Sequence, residues 1–297
     1  MIKTIHLKFG KGAGSAPASI ETTPVTVFVG PNNSGKSQVL AEIQHYCLNG
    51  DRDTVRLILD SVEFQGLAHD VAHTRIKPLT LQPQIGESIS ASDIVIGKRG
   101  QRMQVNKDRL LSLLANPNSQ HNEFCAWYLR HNTLMLNGAN RINLVNEQNA
   151  GDLLLPAHNS LHALFRDDDA RAQVRRIIHE AFGLYFVIDP NNIGKLRIKL
   201  ASRAPSTRQE EQGWDEGARR FHEAALPIGR TSDGVKAYTG MITEIIAGDP
   251  IVLLIDEPEA FLHPSLSFKL GKEIAGATYG SEKRLFVALP ANRGVAL

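Results

Sequence analysis

The sequence predicts an α/β protein with a mixed or parallel central sheet, and three stretches carry that prediction. The apolar run Val25-Thr26-Val27-Phe28-Val29 ends in a glycine-rich turn, GPNNSGKS over residues 30–37, and a helical pattern follows at once. A second apolar run, IVLLID over 251–256, ends in acid. Residues 2–9 alternate Ile, Thr, Ile, Leu and Phe against Lys, His and Lys, the period of a half-buried strand.

Taken in order, the strand over 2–9 is followed by the loop KGAGSAPAS and a strand over about 24–29, an N-terminal antiparallel β-subdomain leading into the turn. From Ser37 to about Leu48, Val39, Leu40, Ile43 and Cys47 recur at three- and four-residue steps, and Asn49-Gly50 stops the helix. Residues 54–114 read as strand and loop, with Val55 to Leu59 apolar, prolines at 78 and 83, and a basic turn from Gly97 to Arg102. A helix over 121–131, a strand over Arg141 to Val145 and a helix over 170–182 come next. YFVIDPNNIGKLRIKLAS is hairpin-like, with its turn signal at Asp189-Pro190-Asn191-Asn192. The polar stretch 201–217 reads as a surface loop or mobile linker. The pattern then tightens into a helix over 235–246 ended by Gly248, the strand IVLLID, a helix over 265–274 and the strand LFVAL. No repeat interrupts this order. The expected organisation is one domain over 1–297, with a core of 1–60 and 225–297 and a helical and β-rich insertion over about 61–224.

Composition narrows the class. Of 297 residues, 42% are hydrophobic, enough to fill a core, and 33 basic against 31 acidic side chains leave a formal charge of +2. No global field therefore draws the chain to nucleic acid or an anionic membrane. Cys47 and Cys125 match no metal or redox spacing and suit a reducing cytoplasm. The N-terminus has neither the apolar region nor the cleavage site of a signal peptide, and no run approaches a membrane span.

The 30–37 turn fits Gly-x-x-x-x-Gly-Lys-Ser with Gly30, Gly35, Lys36 and Ser37 in place. Glycines let successive amides, those of Asn32, Asn33 and Ser34 included, point inward at phosphate oxygens, and the following helix presents its positive end. Lys36 would reach the outer phosphates of ATP and the Ser37 hydroxyl would hold Mg²⁺. The strand 251–256 delivers Asp256 and Glu257 to its carboxyl end, where open sheets hold ligands. Asp256 would share the Mg²⁺, and Glu257 would act as general base on the attacking water.

Arg230-Thr231-Ser232-Asp233-Gly234-Val235-Lys236 opens the helix before that strand. With the two motifs above it resembles the ABC-type P-loop ATPases, whose signature serine and glycine open a helix shortly before the Walker B strand. The resemblance implies that Ser232 and Gly234 cap the terminal phosphate bound by a second subunit, so that a homodimer, or a higher oligomer, sandwiches ATP. Thr-Ser-Asp-Gly-Val also reads as a plain N-capped helix. Within the superfamily, EPEAFLHPS, the degenerate signature and the long insertion look most like the OLD (overcoming lysogenization defect) ATPases and their RecF- and SMC-like relatives. That likeness implies a TOPRIM or separate nuclease partner and a role in DNA processing or anti-phage defence. Two departures stand out. Where relatives carry Thr-His-Ser, this chain reads Leu289-Pro290-Ala291-Asn292, so the histidine that senses the terminal phosphate is absent and slow hydrolysis is expected. The sequence also ends at Leu297 without a TOPRIM pattern, so the resemblance leaves two expectations, a truncated or frameshifted ATPase half or a nuclease on a separate chain. The competing readings are a RecF- or SMC-like DNA-repair ATPase and a hydrolysis-impaired, nucleotide-gated scaffold.

Weaker features remain. Lys195, Arg197 and Lys199 alternate, so on a strand they share one face, a possible DNA contact surface or a merely solvated one; Arg203 and Arg208 follow. Lys98, Arg99, Arg102, Lys107 and Arg109 form a similar group without aromatic residues for stacking. The spaced pairs His69/His73 and His158/His162 have no downstream metal ligand. Phe261 and Leu262 read as core, His263 as a neighbour of the acidic turn, and Gln65 as a candidate for the glutamine that links nucleotide to the rest of such molecules.

Overall fold

A computed structural model of the chain describes residues 1–10, 14–52, 55–84, 86–138, 140–278 and 282–291. It divides into two compact units. The first comprises Met1–Leu136, Pro250–Pro258 and Ile274–Leu297; the second comprises Asn137–Asp249 and Glu259–Glu273.

In the first unit the central sheet runs in the order Val25–Gly30, Arg284–Pro290, Val252–Asp256, Thr133–Leu136, and every pairing is parallel. Aliphatic runs with no proline or glycine inside them suit strands covered on both faces, and Val252–Ile255 are all buried. The turn-bearing strand Val25–Gly30 is at the edge, which is why Val29 stays 64% exposed despite its apolar sequence. Two antiparallel sheets complete the unit. Ile2–Leu7 lies between Ala18–Glu21 and Leu59–Phe64, forming the N-terminal β-subdomain. Thr80–Leu81, Asp93–Lys98 and Gln101–Asn106 form the other. The basic turn is the hairpin of that second sheet: Arg99 (φ 54°) and Gly100 (φ 79°) are both left-handed, the backbone that a two-residue hairpin needs.

The helix Lys36–Asn49 buries Val39, Leu40, Ile43, Tyr46 and Cys47 and stops at Gly50, whose positive φ lets its N–H reach the Tyr46 carbonyl at 2.7 Å. It also buries an acid. Glu42 is 4% exposed and accepts from the backbone amides of Leu57 (2.8 Å), Ile58 (3.0 Å) and Leu59 (2.7 Å) and from Gln38 Nε2 (2.8 Å). Burial alone would raise its pKa; those four donors outweigh burial and hold it below the usual carboxylate range. The phosphate-turn helix is thereby tied to the start of Leu59–Phe64.

In the second unit the helices Ser160–Arg166, Asp168–Phe182 and Asp233–Gly248 pack together, and Leu161, Leu164, Val174, Ile178, Met241 and Ile242 on them are buried. Asp167 caps the middle helix at Ala170 N (2.9 Å), and Gly183 ends it at φ 71°. Its sheet pairs Tyr185–Asn192 with Lys195–Ala201, flanked by Leu226–Pro227 and Gln148–Asn149.

Several expectations need correcting. The hairpin does not turn at Asp189-Pro190-Asn191-Asn192. Proline 190 breaks the ladder as a bulge, the strand runs on to Asn192, and Gly194 (φ 80°) lies in the turn. Asp189 stabilises the bulge by accepting from Asn191 N and Nδ2, both at 2.9 Å. Arg141–Val145 is a 3-10 turn rather than a strand. Asparagines that bond nearby backbone, such as Asn140 and Asn137 to one another, favour turns over ladders. The 201–217 stretch holds the helix Arg208–Gln212, capped by Thr207, and its Glu211 is 2% exposed. His69–Ile76 and Lys107–Ala115 are helices within a region read as strand and loop, and Ala18–Glu21 is a strand within the predicted loop. The start of that loop, residues 11–13, and Asn292 lie outside the described residues.

Asp189 supports a prediction. It is fully buried, within 2.8 Å of Arg197 and 3.0 Å of Lys199. Burial pushes its pKa up, but hydrogen bonds from Asn191 and Lys199 and the charge of His222 bring it down to about 2, from 3.8. A depressed carboxylate stabilises the fold above its unfolded pKa, and that contribution is lost as pH falls from about 4 toward 2, roughly 2 kcal/mol in all. Thermal melts of native protein and Asp189→Asn across that interval should show the native curve falling toward the variant's; parallel curves would contradict it.

Candidate functional site

The parallel order fixes where the two sequence motifs meet. The strands Val25–Gly30 and Val252–Asp256 flank the same partner, Arg284–Pro290, so one strand separates them, about 10 Å from axis to axis. The register aligns Asp256 with Ala288 and Ala288 with Phe28, and Pro290 with Gly30. Both motifs therefore leave the sheet at its carboxyl edge, within a residue or two of one level. Two backbone bonds fix the exits: Glu257 N donates to Ala288 O (2.9 Å), and Ala291 N donates to Gly30 O (2.9 Å).

The turn has the shape of a phosphate cradle. Asn33 (φ 64°) and Gly35 (φ 88°) are left-handed, which swings neighbouring amides toward one side. A Cβ on Gly30 would lie 2.6 Å from Ser34 Oγ, which would have to turn away, and Gly35, at φ 88°, holds a left-handed backbone that favours glycine, with Ile58 Cδ1 2.7 Å from where a Cβ would stand. Asn32, Asn33, Ser34 and Ser37 are exposed, whereas Lys36 is 8% exposed. The Lys36 ammonium donates to Gly30 O (2.9 Å) and Pro31 O (2.7 Å), arching back over the turn. Gly35 immediately precedes the helix Lys36–Asn49, so its free N–H groups and positive dipole end face the same turn.

Asp256 and Glu257 stand at the neighbouring exit, both part-exposed. Glu257 is held at φ 49°, a conformation costly for a residue with a Cβ, and its bond to Ala288 helps to keep it there. The donor set fits Mg²⁺ and a triphosphate. Amides and one ammonium suit phosphate oxygens; a serine hydroxyl and a carboxylate are the hard oxygen ligands magnesium takes.

The predicted signature residues belong to the second unit. Ser232 caps the helix Asp233–Gly248, its Oγ accepting from Val235 N at 3.5 Å. Gly234 has a packing reason of its own: a Cβ there would lie 2.7 Å from Phe261 O. Phe261, expected in the core, is 54% exposed at φ 71°, and Leu262 is part-exposed, because the tight turn after the acidic strand points them outward. His263 Nδ1 bonds Ser265 Oγ (3.1 Å) at the head of the helix Pro264–Thr278.

Lys195, Arg197 and Lys199 do share a strand face, but not as a row of solvated cations. Arg197 and Lys199 neutralise buried Asp189, and Lys199 also donates to His222 O (2.7 Å). Arg203 pairs with Glu210 (2.6 Å) and Arg208 with Asp168 (3.3 Å). In the other basic group, Arg102 pairs with Glu87 (2.8 Å) and Arg109 with Glu123 (2.6 Å). Acids of the same unit thus take up part of the charge of both groups. The Gln65 side chain is exposed, and its backbone serves the first sheet by bonding Met1. His158 and His162 bond one another through Nδ1 (3.0 Å), and no group of three metal-ligating residues occurs among the described residues. No helix among them is long and apolar enough to cross a membrane. Sequence reading missed Glu42, whose signal was an acid on the core face of the helix.

Comparison with known proteins bears on the fold. Residues 144–287 match the family model described as "AAA domain, putative AbiEii toxin, Type IV TA system". Among solved structures, "SmcHead bound to the C-winged helix domain of ScpA" is similar with a TM-score of 0.53 at 14% identity, over 98% of this chain and 90% of that one. The SMC head domain from Thermotoga maritima aligns with a TM-score of 0.42 at 15% identity, over 98% of this chain and 89% of that one. No curated protein sequence matches. The chain has the mixed α/β fold of an SMC head, a P-loop nucleoside triphosphatase fold.

Proposed function

We propose that the chain binds ATP with Mg²⁺ and hydrolyses it as an ABC-type ATPase module. The observation that carries the proposal is the arrangement at one sheet edge of the 30–37 turn and the Asp256–Glu257 pair, one strand apart. The amides of the turn and Lys36 would bind the phosphates, Ser37 and Asp256 would hold Mg²⁺, and Glu257 would take the proton from the attacking water. Bound magnesium would neutralise charge building on the phosphate oxygens. Ser232 and the amides near Gly234, at an exposed helix start, would cap the terminal phosphate of a second copy, making the ATP-bound form a dimer. Turnover is slow in this reading, because Pro290 and Ala291 stand beside Gly30 where the resemblance calls for a histidine.

The finer role proposed is an OLD-like module that governs a nuclease or other effector of DNA processing or phage defence. The match over 144–287 to a family described with a toxin favours defence. A RecF- or SMC-like repair role is the second reading, supported by the SMC-head fold; there a winged-helix domain is the bound partner, which makes such a domain a candidate partner here. Titration with ATP, with and without Mg²⁺, tests the core of the proposal on native chain and Asp256→Asn. Metal should tighten native binding about tenfold, the worth of one charged contact, and should do nothing for the variant. Binding indifferent to metal in both would overturn it.

A further inference from the structure

We propose that Arg141 is a positioning residue for Glu257, acting through the turn Glu259–Leu262; the assignment rests on the reading of Glu257 as general base. Arg141 is a charged side chain with 0% exposure, and Nη1 donates to the Ala260 carbonyl at 3.4 Å. Burying a guanidinium is costly unless its donors are used, so it marks a place where the chain must be held. That place is the turn that begins two residues after Glu257. It is tight: Leu262 N bonds Glu259 O (2.9 Å) and Phe261 is left-handed at φ 71°.

The same turn is held from a second side. Gly234, two residues into the helix that Ser232 caps, lies so close to Phe261 O that a Cβ would come within 2.7 Å. The helix also seats Arg141 itself, because Gly240 packs so that a Cβ would lie 2.7 Å from Leu144 Cβ and 3.2 Å from Arg141 O. Arg141, Gly234, Gly240 and the turn all belong to the second unit. They form a closed circuit of helix start, turn, arginine and helix middle. In sequence Glu257 leads into this circuit through Pro258, a residue of fixed φ with little slack. The turn that Arg141 and Gly234 hold therefore limits the backbone from which Glu257 is aimed.

The test is to measure amide exchange of the 257–263 segment, Mg·ATP affinity and phosphate release in native chain, Arg141→Gln, Arg141→Lys and Gly240→Ala. Arg141→Gln should raise exchange of that segment about tenfold, a local opening, while the rest of the chain is unchanged. It should lower turnover about tenfold or more with affinity kept within about threefold, as expected for a misaimed base. Arg141→Lys, which keeps one donor, should recover part of both. Gly240→Ala displaces the 141–145 turn without removing a charge and should give the same signature, so a poorly folded Arg141→Gln does not leave the question open. Native-like exchange and turnover in Arg141→Gln and Gly240→Ala would overturn the assignment. Failure of the native chain to bind ATP would instead sink the functional reading, and the exchange comparison would still decide whether Arg141 holds the turn.

Discussion

Lys36→Ala should weaken Mg·ATP binding by about 100-fold or more, close to abolition at working concentrations. The ammonium is 8% exposed and its two acceptors are carbonyls of the turn itself, Gly30 O and Pro31 O. Both are weak partners compared with a phosphate oxygen carrying full charge. Exchanging them for phosphate on binding gives a short, charge-assisted contact in partly desolvated surroundings, on the order of 3 kcal/mol, which is the factor of about 100. Alanine leaves the amides and the helix end in place, so weak residual binding of phosphate is expected. The fold should survive, since Val39, Leu40 and Ile43 anchor the helix independently. Calorimetric titration of the two proteins, with melting curves as control, measures the loss. Equal affinities would mean that the 30–37 turn does not hold the nucleotide.

Glu257→Gln should leave ATP binding within about threefold and cut turnover by about 100-fold or more, the range for losing a general base. The exchange is isosteric and the strained backbone at φ 49° is one that Gln meets as Glu does, held in either case by the amide bond to Ala288 O. What disappears is the carboxylate that takes the proton from water. With hydrolysis blocked, ATP stays in place and the bound dimer should accumulate. Sedimentation with Mg·ATP should show a monomer-to-dimer shift that persists in the variant and decays in the native protein. A variant that stays monomeric with ATP bound would contradict the sandwich, and one that releases phosphate at the native rate would remove Glu257 from the chemistry.

The motifs were legible because each is local and each uses residue types with few alternative uses. Gly30, Gly35, Lys36 and Ser37 announce a glycine-bearing turn that opens a helix in eight residues, and five aliphatics ending in Asp256 announce a buried strand. Their convergence was not written locally, since it depends on Arg284–Pro290 entering the sheet between them. The second unit was read less well, for physical reasons visible in single residues. Pro190 signals a turn and a bulge alike, and only the pairing of Asp189 with Arg197 and of Asn192 with Lys195 decides. Glu211 lies in a polar stretch that looks like linker until Arg171 (3.0 Å) and Arg175 (2.5 Å), some forty residues upstream, bury it. In the basic row Asp189 lies only 8 residues before Arg197, and it is the strand pairing, which sets the two opposite each other, that shows the acid taking up the charge of Arg197 and Lys199.

The most direct test is the electron paramagnetic resonance of Mn²⁺, a magnesium substitute, bound with ATP to native chain, Ser37→Ala and Asp256→Asn. One ligand bridging the 30–37 turn and the acidic exit predicts phosphorus coupling to bound manganese in the native protein. It also predicts about tenfold weaker manganese binding in each variant, the worth of one metal ligand. Manganese binding at native strength in Asp256→Asn, or a bound metal without phosphorus coupling in the native chain, would show that the two segments do not share a nucleotide.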